Sequence, residues 1–197
     1  MPLVIKQTTL PATEPIDRTT AKAHIRVDIT DDDTLIDALI IAARDLVERA
    51  IERQLITATW VYKMDSFPGS AGTIRLPYPP LIAVSTITYV DEAGVTQTLD
   101  SSTYTVDNYS EPGRIVPAFD VSWPPTRRQI NAVTVTFTAG YGAATAVPQP
   151  IKQAMLMLIG NWYESREAIA VGRINVDEIP FAVRALLRIY ETATVRR

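Results

Sequence analysis

Two rows of apolar residues run along one long segment near the start of the chain. Within each row they recur at spacings of three and four, the periodicity of an amphipathic α-helix. The first row is Leu35, Leu39, Ala42, Leu46 and Ala50, and the second is Ile36, Ile40, Ala43, Val47 and Ile51. The pattern predicts a helix over 31–53 with Thr30 as its N-cap. Its apolar surface covers more than half of the circumference, which is wider than one core face needs.

The period of the pattern changes to two after Leu55. Apolar and polar residues alternate from Ile56 to Met64, as in a half-buried strand. Similar short runs, bounded by Gly, Pro, Asn or Asp, predict strands over 73–76, 84–90, 95–99, 103–106, 114–116 and 132–138. Because the gaps between these runs are too short for crossover helices, we expect antiparallel pairing, with a hairpin loop at 91–94.

Helical spacing returns at two prolines that suit a first helical turn, and it predicts helices over 150–166 and 180–192. A further short helix is expected over 19–27. Residues 168–178 have weak helical patterning and are predicted to be a linker.

This order of elements predicts an α+β fold, with helices at both ends of the chain and strands between them. We expect an N-terminal arm and helices (1–55) to pack as one domain with the C-terminal helices and tail (139–197). Residues 56–138 are expected to form an inserted antiparallel β subdomain beside this helical core.

The composition excludes several classes of function. With 47% apolar and 21% charged residues, the 197-residue chain has the composition of a globular domain. It contains no cysteine, which excludes disulfides, thiolate metal sites and cysteine nucleophiles. A net charge of −3 argues against strong non-specific binding to nucleic acid or an anionic membrane. The start of the chain lacks the apolar core of a signal peptide, so we expect synthesis and use in a cytoplasm.

Local motifs predict no catalytic, cofactor or metal site. The single histidine, His24, has no triad partner nearby in sequence, and the acidic run at 31–33 is better explained as a helix start than as a calcium loop. The glycines at 140–142 lack the rest of a phosphate-binding motif. Arg127 and Arg128 could contact a phosphate, although a solvated loop or an interface pair explains them more simply in an acidic protein.

The remaining face of the 31–53 helix alternates in charge. It carries Arg44, Asp45, Glu48, Arg49, Glu52 and Arg53. Arg44 and Glu48 stand four residues apart and can pair, as can Asp45 and Arg49. Because the helix has more apolar surface than one core needs, we predict that it meets another subunit, with these charges as the candidate interface.

The last predicted helix combines an apolar row with basic residues. Val183, Leu186, Leu187 and Tyr190 repeat at helical spacing, whereas Arg184 and Arg188 face away from them. The row can either close the helical core of the chain itself or fill a groove on a partner. In the second case the arginines would steer the helix towards an acidic surface.

Six segments in order carry a resemblance to a known family. They are AKAHIRVD, DDDTLIDALIIAARDLVERAIERQLI, IRLPYPPLIAVSTITYVDEAG, FTAGYG, AVPQPIKQAMLMLIGNWYESRE and EIPFAVRALL. The chain resembles the head–tail connector (adaptor) proteins of long-tailed phages, prophages and gene transfer agents, from Thr19 to about Tyr190. The segments are packing and turn patterns, so the resemblance depends on their order and spacing.

The resemblance implies a structural virion protein without catalytic residues, made in a bacterial host cytoplasm and located in the virion neck. Such a subunit forms a ring of about a dozen copies under the portal protein, extends the DNA channel, and offers a docking surface to the tail-side stopper or tail terminator. It implies passive contact with translocating DNA, no cofactor and no membrane. It also implies that the C-terminal portion grips the portal, so the last helix is the candidate docking element.

Two other hypotheses stay open on the residues alone. One is a β-rich binding or oligomerisation module of non-viral origin without catalysis. The other is an enzyme that uses carboxylates alone, which leaves no signature in a single sequence.

Overall fold

The structure of the protein is a computed structural model that describes residues 4–165 and 180–191. Its helices and strands follow one another as β1 (Val4–Thr9), α1 (Arg18–Ile25), α2 (Asp33–Ile51), β2 (Ala58–Met64), β3 (Ile74–Arg75), β4 (Leu81–Val90), β5 (Thr96–Thr98), β6 (Tyr104–Asp107), β7 (Arg114–Pro117), β8 (Val133–Ala139), α3 (Gln149–Glu164) and α4 (Phe181–Leu187). The predicted α+β class is confirmed. Each predicted helix and strand is found within a few residues of its expected ends, and α4 continues as a 3-10 turn, Arg188–Tyr190. The predicted linker at 168–178 lies outside the described residues.

The N-terminal segment differs from the sequence expectation. Instead of an arm attached to the helices, residues Val4–Thr9 form β1, which pairs antiparallel with β2 and places Ile5 opposite Tyr62. The described part of the chain divides into two compact units, and residues 4–12 belong with 57–141 in a β unit. The other unit, of helices, contains 13–56, 142–165 and 180–191. The alternation in β1 is short, and its pairing partner lies about fifty residues away, so the local pattern did not reveal it.

The β unit contains two antiparallel sheets. The five-stranded sheet has the order β1-β2-β8-β4-β5, and the three-stranded sheet has the order β3-β7-β6. Side chains from both sheets form one buried cluster, which includes Ile87, Ile115 and Phe137. Trp123 covers part of it, stacked on Phe67 with ring centroids 4.8 Å apart.

The predicted hairpin loop connects β4 and β5. The amide of Gly94 donates to the carbonyl of Asp91 at 2.9 Å, and the Asp91 carboxylate accepts from the amide of Val95 at 2.8 Å. Gly94 has φ +88°, a conformation that glycine adopts without strain.

The helical unit is built around α2 and α3. Its core consists of buried apolar side chains from four helices, Ala21, Ile36, Ile40, Ala43, Val47, Ile51, Ile151, Ala154, Met155, Leu158, Ile159, Val183 and Leu187. Asp17 caps α1, because its carboxylate accepts from the amide of Thr20 at 2.6 Å, which lowers the pKa of Asp17.

The start of α2 was predicted incorrectly in one detail. Thr30 is not the N-cap, because the helix begins later, at Asp33, with Asp32 in the cap position. The acidic residues there bind neighbouring helices: Lys22 on α1 approaches Asp33 at 2.7 Å, and the Tyr163 hydroxyl on α3 donates to Asp32 at 2.6 Å. The ionic contacts with α1 contribute to holding the pKa of Asp33 below its usual range. The acidic run is therefore used to pack the helices.

An ionic network closes the C-terminal half of α2. The buried guanidinium of Arg44 lies 2.8 Å from Glu14 and 2.9 Å from both Asp45 and Glu48. The other oxygen of Glu48 accepts from the Gln54 side-chain amide at 2.7 Å and from the backbone amide of Leu55 at 2.9 Å. Three stretches of chain thus meet at this network: the segment before α1, α2 itself, and the segment after α2.

The network requires the Glu48 carboxylate to be charged while it is largely removed from water. Burial raises its pKa, because desolvation of the charged form outweighs the opposing effects of the Leu55 amide and the Arg44 guanidinium. Removal of Arg44 would leave this carboxylate buried without its counter-ion, which is the costly case for an ion pair.

We expect Arg44→Ala to lower the free energy of unfolding by about 3 kcal/mol, because it leaves the largely buried Glu48 carboxylate without its counter-ion. Arg49→Ala is the matched control: Arg49 lies on the same helix but is exposed, so its loss should change the free energy by less than about 0.5 kcal/mol. Urea denaturation followed by circular dichroism measures both. Equal effects would contradict the structural role of Arg44.

Phe137 and Thr136 test the register of β8. The ring of Phe137 is fully buried in the β core, so Phe137→Ala should lower the free energy of unfolding by about 3–5 kcal/mol. The neighbouring side chain lies on the opposite, partly exposed face, and Thr136→Ala should cost less than about 1 kcal/mol. The same denaturation experiment compares them, and similar costs would show that the register is wrong.

Candidate assembly surface

The two apolar rows of α2 have different environments. The row from Ile36 to Ile51 is the inner row, and each of its five side chains is at most 2% exposed in the helical core. The other is the outer row, and it is not packed into that core. Leu35, Ala42 and Ala50 are exposed, and Leu39 and Leu46 are half-buried. The excess apolar surface inferred from the sequence is therefore present, and it consists of the outer row together with Ile41, which is 46% exposed.

The outer row forms an uncharged apolar stripe. Exposed Ala38 extends it sideways, and no charged residue interrupts it between Leu35 and Leu46. From Leu35 to Ala50 the row is about 22 Å long, at about 1.5 Å per residue. Its alanines would let another helix or strand approach closely, and its three leucines supply apolar area. The stripe shares its lack of charge with the centre of protein–protein interfaces.

The charged stripe that the sequence singled out does not form one accessible surface. Arg44 and Arg53 are only 7% and 8% exposed. Arg44 binds carboxylates within the helical unit, and the Arg53 guanidinium donates to the Tyr190 carbonyl at 2.6 Å. Glu48 is largely buried too. These three residues are therefore corrected from candidate interface to intramolecular contacts, and only Asp45, Arg49 and Glu52 lie at the surface.

The reason lies in the segment that follows α2. Glu52 adopts a left-handed conformation, with φ +54°, and this turns the chain back on the last turn of the helix. The turn brings Gln54 and Leu55 against Glu48. The predicted Arg44–Glu48 pair is present, but it faces inward.

The apolar row of α4 closes the helical core. Val183 and Leu187 are 0% and 2% exposed, so the interpretation of the whole row as a docking face is corrected for these two residues. Leu186 and Tyr190 are half-buried. Arg184 and Arg188 are exposed. Of the candidate docking residues, Arg184, Leu186, Arg188 and Tyr190 therefore stay accessible.

Large exposed apolar side chains that the sequence analysis did not select also lie on this segment and in the β unit. Phe181 begins α4, Ile189 lies in the 3-10 turn that follows it, and they are 88% and 76% exposed. Tyr109 and Phe119, in loops of the β unit, are almost fully exposed. Because each is a single apolar residue in a turn or at a helix end, no periodic signal distinguishes it from a core residue.

Arg127, which the sequence suggested as a phosphate contact, and the aromatic Trp60 both have contacts within the β unit. Arg127 lies against the hairpin turn, where a side chain at Gly94 would meet its guanidinium. Trp60 stacks on Tyr78 with ring centroids 4.4 Å apart. Within 4–165 and 180–191 no group of three or more His, Cys, Asp or Glu side chains is placed to hold a metal ion, and no helix there is long and apolar enough to span a membrane.

Comparison with solved structures finds the same fold in chains of gene transfer agent particles. A chain from the neck of an empty gene transfer agent (GTA) particle, computed with C6 symmetry, has a TM-score of 0.77 and 22% identity over 98% of this chain and 97% of that chain. A chain from the virion of a native GTA particle gives 0.76 and 23%, over 98% and 97%. A third, from the neck of a native GTA particle computed with C12 symmetry, gives 0.68 and 22%, over 96% and 97%.

A search of curated proteins finds no significant match. The family model described as head completion protein matches residues 16–192. The resemblance drawn from the six sequence segments is confirmed by this match and by the shared fold. Since the match covers most of the sequence, the chain belongs to the head completion protein family.

Proposed function

We propose that the protein is a non-enzymatic subunit of the virion neck that assembles into a ring between the portal protein and the tail-side stopper or tail terminator. The observation that carries this proposal is the exposed, uncharged outer row of α2, on a chain whose family is that of the head completion proteins. An exposed apolar stripe marks an interaction site, and a ring subunit needs such a site for the lateral contact with its neighbour.

Ring closure sets the kind of contact that is required. A ring of more than two copies is held by two different, complementary patches on each subunit. The outer row would be the apolar centre of one patch, with Asp45 and Arg49 on its polar rim. The similar neck chains come from reconstructions with C6 and C12 symmetry, which supports a ring of about a dozen copies here.

Contacts along the axis of the ring would use other surfaces. We assign the portal contact to the accessible side of the C-terminal segment, where Arg184 and Arg188 are exposed beside Phe181 and Ile189. Such a surface fits an acidic partner with an apolar groove. The net charge of −3 suits a subunit around a DNA channel, since strong phosphate binding would hold the DNA back.

The double variant Ala38→Glu with Ala42→Glu tests the lateral contact. Both positions are exposed, and glutamate is a good helix former, so the monomer should keep its circular dichroism spectrum and its melting temperature within about 2 °C. Carboxylates in the apolar centre of the interface should abolish ring formation, so that filled heads accumulate without tails. Electron microscopy of particles and sizing of the protein measure these outcomes.

Thr19→Glu with Ala23→Glu is the matched control. It adds two carboxylates at the same spacing of four, at exposed positions of α1, and should leave assembly unchanged. If particles carrying the α2 variant have normal tails, the outer row is not the lateral contact. If both variants block assembly, the effect is one of charge and not of the row.

A further inference from the structure

The outward face of the five-stranded sheet has an unusual composition. Its inner face packs Trp60, Tyr62 and Phe137 against the β core, so the alternate residues point away from that core. Seven threonines fill the middle of this outward surface, which we name the threonine face: Thr59, Thr86, Thr88, Thr98, Thr134, Thr136 and Thr138. They are exposed or half-buried, and they stand in adjacent rows across β2, β8, β4 and β5.

The threonine face contains no carboxylate. None of the five strands has an aspartate or glutamate. The acidic residues of the described part of the β unit all lie in loops, at strand ends or in the other sheet, namely Asp65, Asp91, Glu92, Asp100, Asp107, Glu111 and Asp120. Several of them shape turns: Asp107, for example, accepts from the Ser110 hydroxyl at 2.7 Å and from Arg114 at 2.8 Å.

The only charges in the five strands are two lysines on the outward face. Lys6 on β1 stands opposite Val61, and Lys63 on β2 stands opposite Val4. They are therefore diagonal neighbours on one face, about 7–8 Å apart between backbones. The threonine face thus presents many hydroxyl donors, and the two lysines add positive charge near one edge of the sheet. The net charge of the whole chain, in contrast, is negative.

This chemistry complements a polyanion with regularly spaced phosphates. Threonine hydroxyls and lysine ammonium groups donate to phosphate oxygens without reading base sequence, and no carboxylate is present to repel them. With two lysines, one copy should neutralise about two phosphates, so its affinity should be weak and the contact should exchange quickly. Weak contacts of this kind suit a surface along which a duplex has to slide.

A protein partner is less well matched to this face. Interfaces between proteins are anchored by aromatic or large apolar side chains at their centre. The large aromatics of β2 and β8 point into the β core, and the exposed Tyr109 and Phe119 lie in loops next to strands of the other sheet. The apolar residues that share the face with Lys6 and Lys63 are the valines Val4 and Val61, which carry no aromatic ring.

We propose that the threonine face is the surface of this protein that contacts the phosphate backbone of duplex DNA. The inference rests on the proposed neck function and adds to it which residues line the channel.

Binding of a short duplex DNA to the full-length protein tests the chemistry without the particle. Fluorescence anisotropy should detect binding at about 50 mM salt, with a slope of log affinity against log salt near −2, and no measurable binding at about 150 mM. Lys63→Glu should weaken the low-salt affinity about tenfold, because it replaces an attraction with a repulsion. Arg75→Glu, an equal charge reversal on an exposed strand position of the other sheet, should change it less than about twofold.

The outcome at low salt decides the assignment. No binding there, or an equal loss in the Lys63 and Arg75 variants, would overturn the proposal. A tenfold loss in a double variant of Arg127→Ala and Arg128→Ala, with Lys63→Glu unaffected, would place the contact on the loop at 126–129 and would also overturn it.

A photo-crosslinking residue in place of Thr86 tests the contact in assembled particles, with the same residue in place of the exposed Ser102 as control. The Thr86 position should crosslink to DNA and the Ser102 position should not. Crosslinks from Thr86 to another protein chain, or none at all, in particles whose heads and tails are joined would overturn the DNA contact while leaving the neck function intact. Failure of the neck function shows separately, as particles with joined heads and tails whose necks lack the protein.

Discussion

The guanidinium of Arg44 joins α2 to the segment that precedes α1, and its partner Glu48 joins α2 to the segment that follows it. It lies within 2.9 Å of carboxylates from two stretches of chain, those of Glu14 and Glu48. Glu48 in turn binds the chain that leaves α2, through the amide of Leu55. Apolar packing orients α2 on α3, and this network adds polar contacts to the segments that precede α1 and follow α2, beside the buried Ile16 and Leu55. Because a buried charge is costly without its partner, loss of Arg44 should weaken these contacts together.

One side of α2 packs into the core and another forms this network, so a third side has no partner within the helical core. The outer row occupies it, and its lack of charge between Leu35 and Leu46 separates it from an ordinary solvated helix face. The β unit shows a comparable division, because its aromatic side chains point inward and its threonines and two lysines point outward. We therefore propose protein contacts at an apolar stripe and DNA contacts at a polar sheet face that carries two lysines and no carboxylate, each in its own unit.

The sequence predicted what depends on local periodicity. Helix and strand positions, the α+β class and the excess apolar surface of α2 all follow from spacing, and the family follows from the order of segments. Contacts between distant residues did not: β1 pairs with a strand some fifty residues later, and Arg44 finds Glu14 thirty residues earlier. The helical spacing correctly placed Arg44 and Glu48 on the polar face of α2. It did not reveal that the turn at Glu52 brings Gln54 and Leu55 against Glu48 and so covers this part of the face. Likewise, the row of Val183 and Leu187 on α4 was compatible with core or partner, and only the packed structure decides.

We propose that the outer row of α2 lies between neighbouring copies in a ring, and a cryo-electron microscopy reconstruction of the neck of a particle that contains this chain tests this. We expect Leu39, Ala42 and Leu46 to be buried against the adjacent copy at every interface of the ring, with Arg44 still bound to Glu14 and Glu48 inside its own subunit. A ring in which these three side chains face solvent would contradict the proposed lateral contact, and a neck that lacks the chain would contradict the neck function.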